Sequence, residues 1–269
     1  MGLFTTDSNS VRGEPREMLF RYASGQLPDW INGHDGPVGW VKYSHRGIQF
    51  MDRIHLGKEK RHIFSNKFDI RFNTAFEQVV RCCADLGREG KTWITEELIR
   101  GYVALHRLGF AWCCEAWQGG TLVGGTFGLQ IGGYIGQDSM FHHVRNASKA
   151  CYGQLLVRLR ERGFAYLDVN AVAPHLAYYG AEWVPRWRFE QMLRESISHA
   201  PSLTDDRTPP MPAGPLLLRL KMDRLVQAVT TRCRSTGFQP VLSASGEKIL
   251  NKHHFFLLDR QHGLEARAT

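Results

Sequence analysis

Asp168 and Asn170 stand two residues apart in the apolar run Phe164 to Val172, which reads as a strand. Side chains at that spacing share one face of a strand, while Leu167, Val169 and Ala171 share the other. A carboxylate beside a carboxamide can polarise it, and the amide oxygen then attracts the proton of an ammonium group. Polar residues facing water at a sheet edge show the same spacing. Asp138, just past another apolar run, puts a second carboxylate at a comparable sheet end. Adjacent His142 and His143 diverge and have no third ligand, so no metal site is expected. Lys58, Lys60, Arg61 and Lys67 interleave with His62 and Phe64, the pattern of a solvated face or of a grip on a phosphate backbone. Trp30, Trp40 and Trp93 lie in or near loops, where an indole either packs or stacks on a base.

Those residues need elements to hold them. Trp112 to Trp117, Thr121 to Gln130 and Tyr134 to Gln137 read as three consecutive strands, with turns at Gly119-Gly120 and Gly132-Gly133. A polar connection, Asp138 to Arg145, leads to Asn146 as N-cap of a helix. That helix places Cys151, Leu155 and Leu159 on one face and stops at Gly163. Upstream, Glu14 to Ala23 reads as a short helix and Trp40 to Phe50 as one strand. Thr74 and Glu77 form a capping box for a helix burying Phe76, Val79, Val80 and Cys83. Another helix follows Thr95 with Leu98, Tyr102 and Leu105 inward, and a last helical pattern spans Trp187 to His199. The expected domains are residues 1–66, a small N-terminal region whose first dozen residues are disordered; 67–203, the catalytic domain; and 204–269, a Pro-rich linker with a poorly packed appendage.

Length and composition narrow the classes. The chain has 269 residues, 43% of them apolar, and a formal charge of +8 from 34 Lys+Arg against 26 Asp+Glu. That excess is compatible with nucleic acid without requiring it. No apolar run approaches the roughly 20 residues of a membrane helix, and no signal peptide is visible. Six cysteines without C-x-x-C spacing read as reduced core thiols, which implies a cytoplasmic location.

The strand–strand–strand–helix–strand order resembles the acetyltransferase-like (GNAT-like) fold, an α/β domain with a central, mostly antiparallel sheet flanked by helices. In that fold a glycine-rich loop cradles the coenzyme A pyrophosphate. The corresponding segment here, His142 to Lys149, has no glycine, so a donor other than acetyl-CoA is expected. Several phrases are similar to the leucyl/phenylalanyl-tRNA–protein transferase family. They are Thr92-Trp93-Ile94-Thr95, Tyr102 with Leu105 to Gly109, Leu122 to Gly125, Asp138 to Phe141, Asn146 to Lys149, and His175 with Gly180-Ala181 and Pro185-Arg186.

The resemblance implies an enzyme that moves Leu or Phe from aminoacyl-tRNA to the N-terminal amine of proteins starting with Lys or Arg, marking them for degradation. It implies a small N-terminal domain, no cofactor, no membrane, and a monomer. By position it implies Asp168 as catalytic aspartate, Asn170 as its partner, and Asp138 beside the acceptor. Thr126, Ile135, Leu155 and Leu167 fall on the aminoacyl side-chain pocket, and Trp93 and Trp30 on the terminal adenosine. Lys58, Lys60, Arg61 and Lys67 fall on the tRNA backbone contact. The sequence departs from the family at Asp138 and Asn170, which replace glutamate and glutamine, and at the pocket positions Thr126, Ile135 and Leu155. Alternatives are an N-acyltransferase of the same fold with a thioester donor and a non-catalytic tRNA-binding relative.

Overall fold

The computed structural model describes residues 3–7, 11–31, 36–57, 63, 67–85, 92–198, 201 and 203. The chain divides into two compact units, Met1–Lys221 and Met222–Thr269. The described residues all belong to the first, so the appendage expected over 204–269 lies outside them.

A three-stranded sheet opens the chain: β1 (Leu3–Asp7), β3 (Val38–Tyr43) and β2 (Leu27–Trp30), all antiparallel in the order β1-β3-β2. Leu3–Asp7, expected to be disordered, is therefore paired. Between β1 and β2 runs α1 (Pro15–Ala23), begun by Glu14, whose carboxylate accepts from the Glu17 amide at 2.7 Å. Trp40 is sealed in this layer, edge-on to Tyr22 with ring centroids 5.8 Å apart. It packs rather than offering a face to a base.

The main sheet has seven strands in the order β10-β4-β9-β8-β7-β6-β5. They are β4 (His45–Phe50), β5 (Asp69–Phe72), β6 (Ala111–Gln118), β7 (Thr121–Ile131), β8 (Tyr134–His142), β9 (Tyr166–Asn170) and β10 (Glu182–Pro185). Every pairing is antiparallel except β8 with β9. The expected mixed α/β class with a mostly antiparallel sheet holds. Two sequence readings change. Trp40 to Phe50 is two strands of different sheets, broken at Ser44. The polar stretch from Asp138 to His142 continues β8 rather than leaving it, because its residues still pair with Gly124 to Phe127.

On one face lies α4 (Ala147–Glu161), with Cys151, Leu155 and Leu159 fully buried as its spacing predicts. Asn146 precedes it with φ of 72° and makes no side-chain cap. Gly124 lets the helix close on β7, since a Cβ there would come within 2.6 Å of Ala147 Cβ. On the other face lie α2 (Phe76–Asp85), α3 (Glu96–Arg107) and α6 (Arg186–Ile197), while α5 (Pro174–Ala177) is a short turn linking β9 to β10.

The start of α2 is not a capping box. The side chain of Glu115, fully buried on β6, accepts from the amides of Thr74 (2.7 Å) and Ala75 (2.9 Å), from the Thr74 hydroxyl and from Trp117 Nε1 (2.9 Å). Glu77 instead pairs with Arg81 one turn on. Burial pushes the Glu115 carboxyl up, but the hydrogen bonds outweigh it and hold it below its usual range. A Glu115→Gln variant is expected to lose about 1–3 kcal/mol of stability at neutral pH, because a carboxamide cannot accept from all these donors. A group whose folded-state pKa is depressed contributes stability above its unfolded value. The gap between variant and wild type in urea melts is therefore expected to close as pH falls below about 4.

Candidate active site

β8 and β9 run parallel, and Gly136 opposite Asp168 is their one register pair. At the next step the connection is made by a side chain, with Asn170 Nδ2 donating to the Gln137 carbonyl at 3.0 Å. Each strand is also bulged at this point. On β8, Gly128 pairs with Gln137 and Phe127 with Ser139, which leaves Asp138 as the extra residue. On β9, Ile48 pairs with Asp168 and Gly47 with Asn170, leaving Val169 extra. Bulges interrupt a ladder and re-aim side chains. Asn170 then ends β9 with φ of 62°, so the simple alternation expected of Asp168 and Asn170 does not hold. Gly47 is what permits this: a Cβ there would sit 2.8 Å from the Ala171 carbonyl carbon.

Asp168 has no exposed surface. Its Oδ2 accepts from Arg46 Nε and from the Tyr134 hydroxyl, both at 2.9 Å. Its Oδ1 accepts the Asn170 backbone N–H at 3.0 Å. Acid and amide are thus joined through the backbone, and the Asn170 side-chain N–H is spent on Gln137. That hydrogen bond polarises the amide in the sense expected of the acid and leaves Oδ1 to accept. Arg46 is itself buried and lies over the Phe189 ring of α6, 4.7 Å from its centroid.

Asp138 faces the same side. Its Oδ2 is sealed from solvent without a hydrogen-bond partner. The neighbouring hydroxyls are those of Tyr22 on α1 and Tyr102 on α3, 2.6 Å from each other. Burial pushes the Asp138 carboxyl up to about 7, with the Asp168 charge adding to it; Tyr22, Arg46 and Tyr102 oppose the shift and lose.

The other side of the junction is mostly apolar. Ile135, Leu155 and Leu167 belong to one buried cluster with Cys151 and Leu156. Thr126 is buried there too, its hydroxyl donating to the Ser139 carbonyl at 2.8 Å. Trp30 on β2 and Trp93, in the loop before α3, are part-exposed. They stand eight and nine residues from Tyr22 and Tyr102 respectively. Lys67 is exposed, with Nζ 5.1 Å from the Phe68 ring centroid, while Lys58, Lys60 and Arg61 lie outside the described residues. Cys82, Cys83, Cys113, Cys114 and Cys151 are free thiols. Among the described residues no helix is long and apolar enough to cross a membrane.

The family described as leucyl/phenylalanyl-tRNA protein transferase matches residues 48–194, which span both strands of this junction. The chain belongs to that family. The leucyl/phenylalanyl-tRNA–protein transferase of Gloeobacter violaceus is 37% identical over 68% of this chain and 94% of its own. That of Chlorobaculum parvum is 39% identical over 68% and 93%. The C-terminal domain (DUF2156) of an Agrobacterium fabrum protein overlays with a TM-score of 0.40 and 9% identity over 64% of each chain, too distant to carry an argument. The family and the aminoacyltransferase class read from the sequence both hold.

Within this transferase family member, several groups at the junction were not singled out from sequence. Arg46 and Tyr134 clamp Asp168, Gln137 holds Asn170, and Tyr22 faces Asp138. A guanidinium at the second position of the strand His45-Arg-Gly-Ile-Gln-Phe was the available signal, since a charge inside a buried strand needs a partner.

Proposed function

We propose that this enzyme transfers an amino acid of leucine or phenylalanine size from aminoacyl-tRNA to the N-terminal amine of proteins beginning with Lys or Arg. The observation that carries the reading is the parting of β8 and β9, with two carboxylates on one side and a buried, mainly apolar lining on the other. The aminoacyl ester spans the gap, its side chain among Thr126, Ile135, Leu155 and Leu167. The acceptor arrives from the Asp138 side, where that carboxylate meets its cationic end.

The ester is already activated, so catalysis is chiefly positioning. Asn170 Oδ1 accepts a hydrogen bond from the attacking amine, and Asp168 fixes Asn170 through its backbone N–H. A C–N bond forms and the ester C–O bond breaks. One proton passes from the ammonium to solvent water before attack, and a second passes from nitrogen to the departing ribose oxygen. Trp93 and Trp30 stack on the terminal adenosine, and the basic strip Lys58, Lys60, Arg61 and Lys67 follows the tRNA backbone. The protein works as a cytoplasmic monomer whose products enter degradation.

The test is transfer of labelled amino acid from a panel of charged tRNAs to peptides differing only in their first residue. Product confined to Lys- and Arg-starting peptides is expected, and absence of product from every pair sinks the reading. Asn170→Ala is expected to lower kcat about a hundredfold with little change in tRNA affinity.

A further inference from the structure

The carboxylate of Asp29 is divided between two partners. Its Oδ1 accepts the backbone N–H of Trp30 at 2.7 Å, and its Oδ2 accepts the Tyr43 hydroxyl at 2.5 Å. Hydrogen bonds to an ionised acceptor are about twice as strong as neutral ones. Together they tie the last residue of β2 to the last residue of β3. Trp30 opposite Val38 is the final register pair of these strands, followed only by the hydrogen bond from the Ile31 N–H to the Pro37 carbonyl. Strand ends with few buried contacts open first, and an indole on such an end has no fixed plane. The acid sits where that opening would begin.

The strand register says which way the indole faces. Residues two apart share a face of a strand, and directly paired residues share one across it. Pro28 pairs with Trp40 and Asp29 with Gly39, so Trp30 lies on the face of Trp40, and Asp29 on the other with Val41 and Tyr43. Trp40 packs on Tyr22, whose hydroxyl faces Asp138, and Lys42 on the same face meets Glu190 of α6 at 3.0 Å. The face that carries Trp30 is therefore the one turned toward α1, α6 and the acid side of the junction. Trp40 is sealed there, whereas Trp30 at the strand end is part-exposed and open to a ligand. Asp29 and Tyr43 hold the strand from behind. Arg46, the clamp on Asp168, is near enough for its charge to act on the Tyr43 phenol.

We propose that Asp29 and Tyr43 are positioning residues for Trp30, fixing its backbone so that the indole stays set against the terminal adenosine of the donor tRNA. This rests on the transferase reading and on the stacking role given to Trp30 there. Stacking on a base is strong only when the ring is already in place, since ordering it on binding takes back part of the gain. Neither residue meets the reacting atoms, so the effect falls on donor binding rather than on the chemical step.

The experiment uses the full-length protein, leucyl- and phenylalanyl-tRNA as donors, and one Arg-starting peptide. Asp29→Ala is expected to raise the KM for charged tRNA about tenfold, with kcat and the peptide's KM little changed. Tyr43→Phe, which leaves Asp29 on the Trp30 amide, is expected to raise it about threefold. Trp30→Ala is expected to raise it about tenfold or more. The deciding variant combines Asp29→Ala with Trp30→Ala. It is expected to be no worse than Trp30→Ala alone, because the acid then has no indole to place. An acid that merely supports the fold would cost as much in that background as in the wild type. Melting temperatures are read alongside, and if Asp29→Ala does not fold, the same cycle is run with Tyr43→Phe. A donor KM that Asp29→Ala or Trp30→Ala leaves unchanged, or an equal loss with and without the indole, overturns the assignment and leaves the transferase reading standing. No product from the wild type with any of many donors and acceptors would instead remove that reading, and this inference with it.

Discussion

Arg46→Ala is expected to be the most damaging single change at the site, costing about 3–5 kcal/mol of stability and at least a hundredfold in transfer. The guanidinium and the Asp168 carboxylate have 3% and 0% of their side-chain surfaces exposed, and they meet at 2.9 Å. Two charges so placed have lost their hydration, and each is tolerable only because of the other. Removing Arg46 leaves Asp168 with the Tyr134 hydroxyl and one backbone N–H as donors, too few for an ionised carboxylate in that enclosure. Arg46→Lys is expected to recover little, since an ammonium cannot reproduce both the directed Nε–H and the flat contact over Phe189. The informative companion is the double variant Arg46→Met with Asp168→Leu. Replacing a buried pair by apolar groups of similar size is often close to neutral. Denaturation is therefore expected to show most of the stability restored, while the transfer assay shows no activity. If the double variant still transfers, Asp168 has no part in the chemistry.

The sequence made these elements legible to different degrees, for physical reasons. The three strands from β6 to β8 and helix α4 were plain because glycine pairs mark the turns, with positive φ at Gly119, Gly120 and Gly132, and apolar spacing marks the faces. What stayed hidden depended on pairing across the sheet. The bulge at Asp138 is set by the register of β8 on β7, and no local pattern announces an extra residue. For that reason the strand seemed to end where it only bends. Glu115 looked like one polar residue in a strand, yet it caps a helix 40 residues earlier in the chain. The same holds at the site. Asp168, Asn170 and Asp138 could be chosen by type and spacing, but Arg46 is 122 residues from Asp168 and Tyr134 34 residues away. Whether an acid is bare or clamped is a tertiary fact, and here the Asp168 carboxylate is taken up by Arg46, Tyr134 and the Asn170 backbone N–H.

Asp138→Asn is expected to make the protein more stable and worse at its work, in a way that depends on pH. Burial holds this carboxyl up at about 7, so the folded protein binds its proton more tightly than the unfolded chain does. Stability linked to that proton is complete below the unfolded value, near 4, and is lost as pH rises through about 7. At pH 8 the folded state carries a buried charge whose Oδ2 has no partner. Asn keeps the shape without the charge, so thermal melts at pH 8 are expected to favour the variant by on the order of a few kcal/mol, and much less near pH 5. Acceptor binding should run the other way. On the proposed reading a Lys- or Arg-starting peptide brings a cation to Asp138, and such a cation would stabilise the ionised form. The wild-type KM for such a peptide is therefore expected to fall several-fold between pH 6 and 8, whereas the variant's KM stays high and flat. On that reading the buried, incompletely satisfied charge is a cost to the empty enzyme that the correct substrate would remove, an exchange of stability for selectivity. An Asp138→Asn enzyme with the wild-type KM and the same pH slope would show that some other group receives the acceptor's cation.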